Sequence, residues 1–97
     1  MPAYVVLYRW TDQGVKNVKD TVLRAREFIA AVEKAGGKVT SVYWTQGRYD
    51  LVAISELPNE DTAMILSLSL SKLGNVRTET LRAFNPEDME RILKKMP

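Results

Sequence analysis

The hydrophobic positions of this chain alternate between a period of two and a period of three to four, and the switches mark out its elements. Residues 3–10, Ala-Tyr-Val-Val-Leu-Tyr-Arg-Trp, are β-branched and aromatic and stop at the polar break Thr11-Asp12-Gln13-Gly14, which predicts a strand. From Val15 the apolar residues fall three or four apart, at Val18, Val22, Ala25, Phe28 or Ile29, Val32 and Ala35. Lys19, Arg26, Glu27, Glu33 and Lys34 occupy the other side, so one amphipathic helix is predicted over 15–35. Gly36-Gly37 supplies the left-handed residue that ends it.

Residues 38–46 and 49–56 read as two further strands joined at Gly47-Arg48, a Gly-X pair that suits a two-residue type II′ turn. That turn pairs Thr45 with Asp50, Trp44 with Leu51, Tyr43 with Val52 and Val42 with Ala53. One face of the hairpin then carries Val42, Trp44, Leu51 and Ala53; the other carries Val39, Tyr43, Val52 and Ile54. Both are apolar. Residues 57–74 are ambiguous, because Leu66-Ser67-Leu68-Ser69-Leu70-Ser71 alternates as a strand would. A helix is preferred: Asn59 can cap it, Glu60 and Asp61 complement its dipole, Gly74 can stop it, and Ala63, Leu66, Leu70 and Leu73 form a stripe. Residues 76–84 alternate as a fourth strand, and Asn85-Pro86 starts a last helix with Met89, Ile92, Leu93 and Met96 expected to face inward.

The order β-α-β-β-α-β-α over residues 1–97 implies a single α+β domain of the ferredoxin-like βαββαβ kind with a C-terminal helix. Its sheet would be four-stranded and antiparallel, order 4-1-3-2, with both main helices on one side. A solvated sheet face alternates with polar residues, and here neither face does. A second copy of the chain is therefore the expected cover, and a homodimer or higher homo-oligomer the expected state.

Composition removes several functions. The chain has no cysteine and no histidine, so disulfides, thiolate or imidazole metal sites, Cys nucleophiles and His bases are excluded. The net charge of +2 is too small to imply nucleic acid. No apolar run reaches membrane-helix length and the first residues do not read as a signal peptide, so a cytoplasmic protein without membrane contact is expected. No metal or cofactor motif is found, and no catalytic constellation can be assigned.

The Gly47-Arg48-Tyr49-Asp50 turn resembles that of the GYD-domain family. So do Thr11-x-x-Gly14, the run Asn17-Val18-Lys19-Asp20-Thr21 with Arg24, Gly36-Gly37, and Gly74-Asn75-Val76-Arg77-Thr78-x-Thr80-Leu81-x-Ala83-Phe84. That resemblance implies a dimeric α/β barrel and no particular activity. A more distant similarity, in the hairpin, is to the effector-binding domains of Lrp/AsnC-type regulators, where small molecules bind near subunit contacts.

Asp50 is the leading ligand-binding candidate, either accepting turn N–H groups or facing a cavity as a ligand partner or base. Tyr49, Arg9, Tyr43 and Trp44 complete the candidate set, although aromatics of this kind are usually core or interface. Gly47 and Arg48 read as turn residues, and Glu79 as an ion-pair partner for Arg9. A homo-oligomeric small-molecule-binding or sensor module is the function these features favour. The alternatives are a small cofactor-free barrel enzyme, of isomerase or monooxygenase type, and a structural or protein-interaction module.

Overall fold

A computed structural model describes all of residues 1–97. Its elements are β1 (Ala3–Trp10), α1 (Asp12–Lys16), a 3₁₀ turn at Val18–Asp20, α2 (Thr21–Lys34), β2 (Lys38–Trp44), β3 (Leu51–Glu56), α3 (Glu60–Leu73), β4 (Val76–Ala83) and α4 (Pro86–Leu93). The strands form one sheet in the order β2-β3-β1-β4, with every neighbouring pair antiparallel. This is the predicted ferredoxin-like arrangement. Tyr4, Val6 and Tyr8 of β1 and Ala53 of β3 point to the helix side and form the core with Val32, Leu57 and Ala63.

The alternating stretch at 66–71 is helical. Asn59 accepts a hydrogen bond from the Thr62 N–H at 2.9 Å, and Gly74 closes the helix at φ 84°, so the end signals outweigh the local alternation.

Four expectations need correction. The helix predicted over 15–35 is broken into α1, the 3₁₀ turn and α2. Thr11 caps α1 through the Gly14 N–H at 3.1 Å, and a Cβ on Gly14 would lie 2.0 Å from the Asn75 carbonyl oxygen. Those contacts tie α1 to the start of β4, so the chain must change direction before α2 can lie along the sheet. It does so at Asn17, whose carbonyl accepts from Arg24 Nη1 at 2.8 Å.

The hairpin keeps the predicted register from Val42–Ala53 to Trp44–Leu51, but both strands stop there. Residues 45–50 form a loop rather than a two-residue turn. Thr45 and Asp50 stay opposite, with the Thr45 N–H donating to the Asp50 carbonyl, and the Thr45 hydroxyl donates to the Tyr49 carbonyl at 2.6 Å. Gly47 does take a positive φ, 112°.

Val39 lies on the helix side rather than beside Tyr43. An extra residue, Thr40, bulges between the Val39–Ser55 and Ser41–Ile54 pairs, its hydroxyl donating to the Ile54 carbonyl at 3.1 Å. One added residue reverses the face of everything before it, and Val39 joins the core margin.

Finally, α4 does not turn its apolar side inward. Met89 and Leu93 stay exposed, and Met96 beyond the helix is exposed as well. The helix is well formed, with a reciprocal Asn85–Asp88 cap. The Asn85 N–H, helped by Arg91, holds the Asp88 carboxyl below the usual carboxylate range. It projects from the body: the longest extent is 52 Å and the radius of gyration 14.6 Å, against about 12.5 Å for a compact chain of this length.

Candidate functional site

The side of the sheet away from the helices is bare. Pairing places Val5 of β1 between Ile54 of β3 and Leu81 of β4, and Leu7 between Val52 and Glu79. Tyr43 of β2 extends this surface beside Val52. Ile54, Leu81 and Tyr43 are all exposed. The centre of the face is therefore aliphatic with no charge.

Charge lies at the two ends, Lys38 beside Glu56 at one and a larger cluster at the other, where the hairpin loop folds over it. The Arg9 guanidinium lies 5.0 Å from the centre of the Tyr49 ring, and the Tyr49 hydroxyl donates to Glu79 Oε2 at 2.6 Å. The direct Arg9–Glu79 pair does not form, because Tyr49 inserts between the two. Arg77 stands opposite Arg9 on β4.

The other candidates separate. Asp50 is half-buried, and its Oδ2 accepts from the Trp10 backbone N–H at 2.9 Å, while its own N–H donates to the Tyr8 carbonyl. Its carboxylate thus bonds the end of β1, where either the turn N–H groups or a cavity was expected. Trp44 turns to the helix side, where its indole N–H donates to the Thr21 hydroxyl at 3.0 Å. Arg48 is exposed on the loop. Of the five candidate side chains, Arg9 and Tyr49 form one cluster, Tyr43 shares their face, and Asp50 and Trp44 act elsewhere.

A cleft that the sequence reading did not anticipate lies on the helix side. Helix α2 packs on β2 and α3 on β4, leaving a gap between the two helices. The gap holds a cavity of about 200 Å³ floored by Tyr8, Val42, Leu51 and Ala53 and walled by residues of α2 and α3. Ala25, Ala31 and Ser69 are the small side chains that keep it open. None of the predicted site residues lines it. Tyr8 is 4% exposed and its hydroxyl has no hydrogen-bond partner; Arg24 also lines the cleft, and its Nη2 is likewise buried and unpartnered. Burial pushes the Tyr8 hydroxyl far above the ordinary tyrosine range. The signal available in sequence was the run of small residues on the facing helix stripes, which a periodicity argument reads only as permission for close packing.

The fold and these two surfaces define a ferredoxin-like α+β protein with one covered and one bare sheet face. The chain belongs to the GYD-domain family, whose pattern matches residues 4–93. It is 32% identical over 95 residues to the glutamine synthetase and cystathionine beta-lyase binding protein of Thermus thermophilus, a match covering 97% of this chain and 100% of that one. It also resembles the crystal structure of TTHA0845 from Thermus thermophilus, with a TM-score of 0.56 and 29% identity over 88% of this chain and 95% of that one. No helix is long and apolar enough to cross a membrane.

Proposed function

We propose that this chain is a non-catalytic binding module that assembles with a second copy of itself and docks on other proteins, with its small-molecule cleft acting as a sensor. The observation that carries the reading is the bare sheet face, where Val5, Leu7, Val52, Ile54 and Leu81 form an apolar field with charge only toward its two ends, Arg9, Arg77 and Glu79 at one and Lys38 and Glu56 at the other. Interfaces that persist are depleted of charge at the centre and polar at the rim, which is this pattern. The core is small, with only 9 of 97 residues buried in the isolated chain, so closing that field would add substantially to the apolar surface removed from water. Closing the face against another copy removes about 800 Å² from water on each partner, the size of an ordinary stable interface.

A second apolar surface remains for a different protein. Met64, Ile65 and Leu68 lie on the outer side of α3, away from the sheet, and all are exposed. A helix that is apolar on both sides is ordinarily buried on both. Since a relative is named for binding glutamine synthetase and cystathionine beta-lyase, those two enzymes are the partners to test first.

Sedimentation velocity at micromolar concentration tests the assembly; a dimer or larger species is expected, and a monodisperse monomer would sink the reading. Docking is tested by interferometry against the two enzymes from the same organism. Met64→Glu with Leu68→Glu should abolish any signal while the dimer stays intact.

A further inference from the structure

The cleft between α2 and α3 is a binding site of definable chemistry. We propose that it takes a small monocyclic or branched aliphatic carboxylic acid, with the apolar body against the sheet, the carboxylate at Arg24 and the Tyr8 hydroxyl as a hydrogen-bond partner. This deepens the sensor part of the reading above and rests on it.

Size and lining come first. Leu51 and Val42 of the floor and Phe28, Leu66 and Leu70 of the walls make the lining mostly apolar, and about 200 Å³ is room for one ring with a short substituent. An apolar protein cavity of about 150 Å³ is large enough to hold benzene.

The polar groups set the rest. A buried hydroxyl without a partner is costly relative to one that is bonded, and native interiors keep few of them. Phenylalanine would fill the Tyr8 position against Phe28, whose ring meets that of Tyr8 edge-on at 6.3 Å, without this cost. Tyr4 and Tyr8 both keep a hydroxyl that no protein group satisfies, and of the two only Tyr8 lines this cleft. Arg24 adds a cation. Its Nη1 is bonded to the Asn17 carbonyl, which leaves the buried Nη2 as an unused charged donor. Charge-assisted bonds to carboxylate oxygens are what such a donor makes best. Glu27 is the one acidic side chain on the lining, and it is exposed to water, where its field is screened.

The two halves of the site come from different helices. Thr21, Arg24 and Phe28 belong to α2, and Leu66, Ser69 and Leu70 to α3. An occupant would therefore bridge α2 to α3, and the outer face of α3 carries the exposed Met64, Ile65 and Leu68. Occupancy would thereby reach the docking surface through one rigid helix.

The test is heteronuclear NMR titration of the intact protein with phenylacetate, and with phenylacetamide and benzene as neutral probes. Phenylacetate should perturb amides of α2, α3 and β1 around the cleft. Arg24→Gln should weaken phenylacetate about tenfold while leaving phenylacetamide within twofold, the difference expected for one charged hydrogen bond. Tyr8→Phe, which removes no packing, should weaken phenylacetate severalfold. Ser69→Leu should block all three probes. Shifts confined to the bare sheet face, equal losses for acid and amide in Arg24→Gln, or no cleft perturbation at millimolar probe would each overturn the proposal. Sedimentation of the same samples reports assembly separately, so loss of the ligand site and loss of the dimer are read as different failures.

Discussion

The two faces of this sheet are built from alternate residues of the same strands, yet they are put together on different principles. On the helix side β1 contributes Tyr4, Val6 and Tyr8, and β3 contributes Ala53 and Ser55, a mixture of large rings, small residues and polar tips. On the bare side the middle of the same two strands contributes Val5, Leu7, Val52 and Ile54, all aliphatic and of similar size, with Arg9 and Glu56 only at the ends. A mixed surface under two splayed helices leaves room; a uniform one without polar atoms is suited to being closed by a flat partner. The contrast teaches that the covered face leaves a cleft under its helices, while the middle of the uncovered face offers an even aliphatic surface.

Ile54→Asp should break the contrast most severely. It places a carboxylate in the middle of the aliphatic field, where burial against a second copy would leave it unpaired. Self-association should weaken at least about a hundredfold, roughly 3 kcal/mol, with the folded chain retained as a monomer. Val32→Ala is the matched lesion on the covered side. Val32 is 1% exposed, and its truncation should cost about 2–3 kcal/mol. Urea unfolding at several protein concentrations separates the two variants. In the dimer the midpoint moves with concentration; Ile54→Asp should remove that dependence and Val32→Ala should keep it at a lower midpoint. Equal concentration dependence in both would mean that the bare face is not where copies meet.

The covered face can be probed without creating a cavity. Burial holds the Tyr8 hydroxyl far above its ordinary range, so its folded pKa lies above its unfolded one. Below about pH 10 both states keep the proton and stability is unaffected. As pH rises beyond that, the unfolded chain ionises and the folded one does not, and stability should drop by about 1.4 kcal/mol per pH unit. Tyr8→Phe should abolish that share of the slope and leave neutral-pH stability equal or slightly higher, since an unpartnered hydroxyl is lost. Alkaline unfolding curves of the two proteins make the comparison directly.

What could be read from the sequence follows the range of the forces involved. The end signals at Asn59 and Gly74 identified α3 against its own alternating pattern, because a cap acts within one turn of chain. The Val42–Ala53 register also survived, since both hairpin strands carry their own apolar alternation. The Thr40 bulge and the break at Asn17 were not legible. Each is settled by residues far away in sequence, Ile54 for one and Asn75 for the other. The candidate site divided in the same manner. Tyr49 and Arg9 were marked, but Asp50 turned out to bond the end of β1, and the cleft depends on how far apart two helices rest on a sheet. No periodicity encodes that distance.

The smallest expected effect lies where the two faces meet the hairpin loop. Tyr49→Phe keeps the ring beneath Arg9 and removes only the hydroxyl that donates to Glu79 at 2.6 Å. The group is half-exposed, so the bond competes with water and is worth at most about 1 kcal/mol after screening. A double-mutant cycle with Glu79→Ala isolates it: the coupling energy should be about 0.5–1 kcal/mol, and the Tyr49→Phe single variant should lower stability by no more than that. The cycle also sharpens the contrast between the faces. If the Arg9–Tyr49–Glu79 cluster forms the polar rim of the closed face, the coupling should grow in the dimer, where solvent is excluded, and shrink in the Ile54→Asp monomer. Identical coupling in both backgrounds would make the cluster a loop anchor with no part in the interface, and would confine the assembly surface to the aliphatic centre.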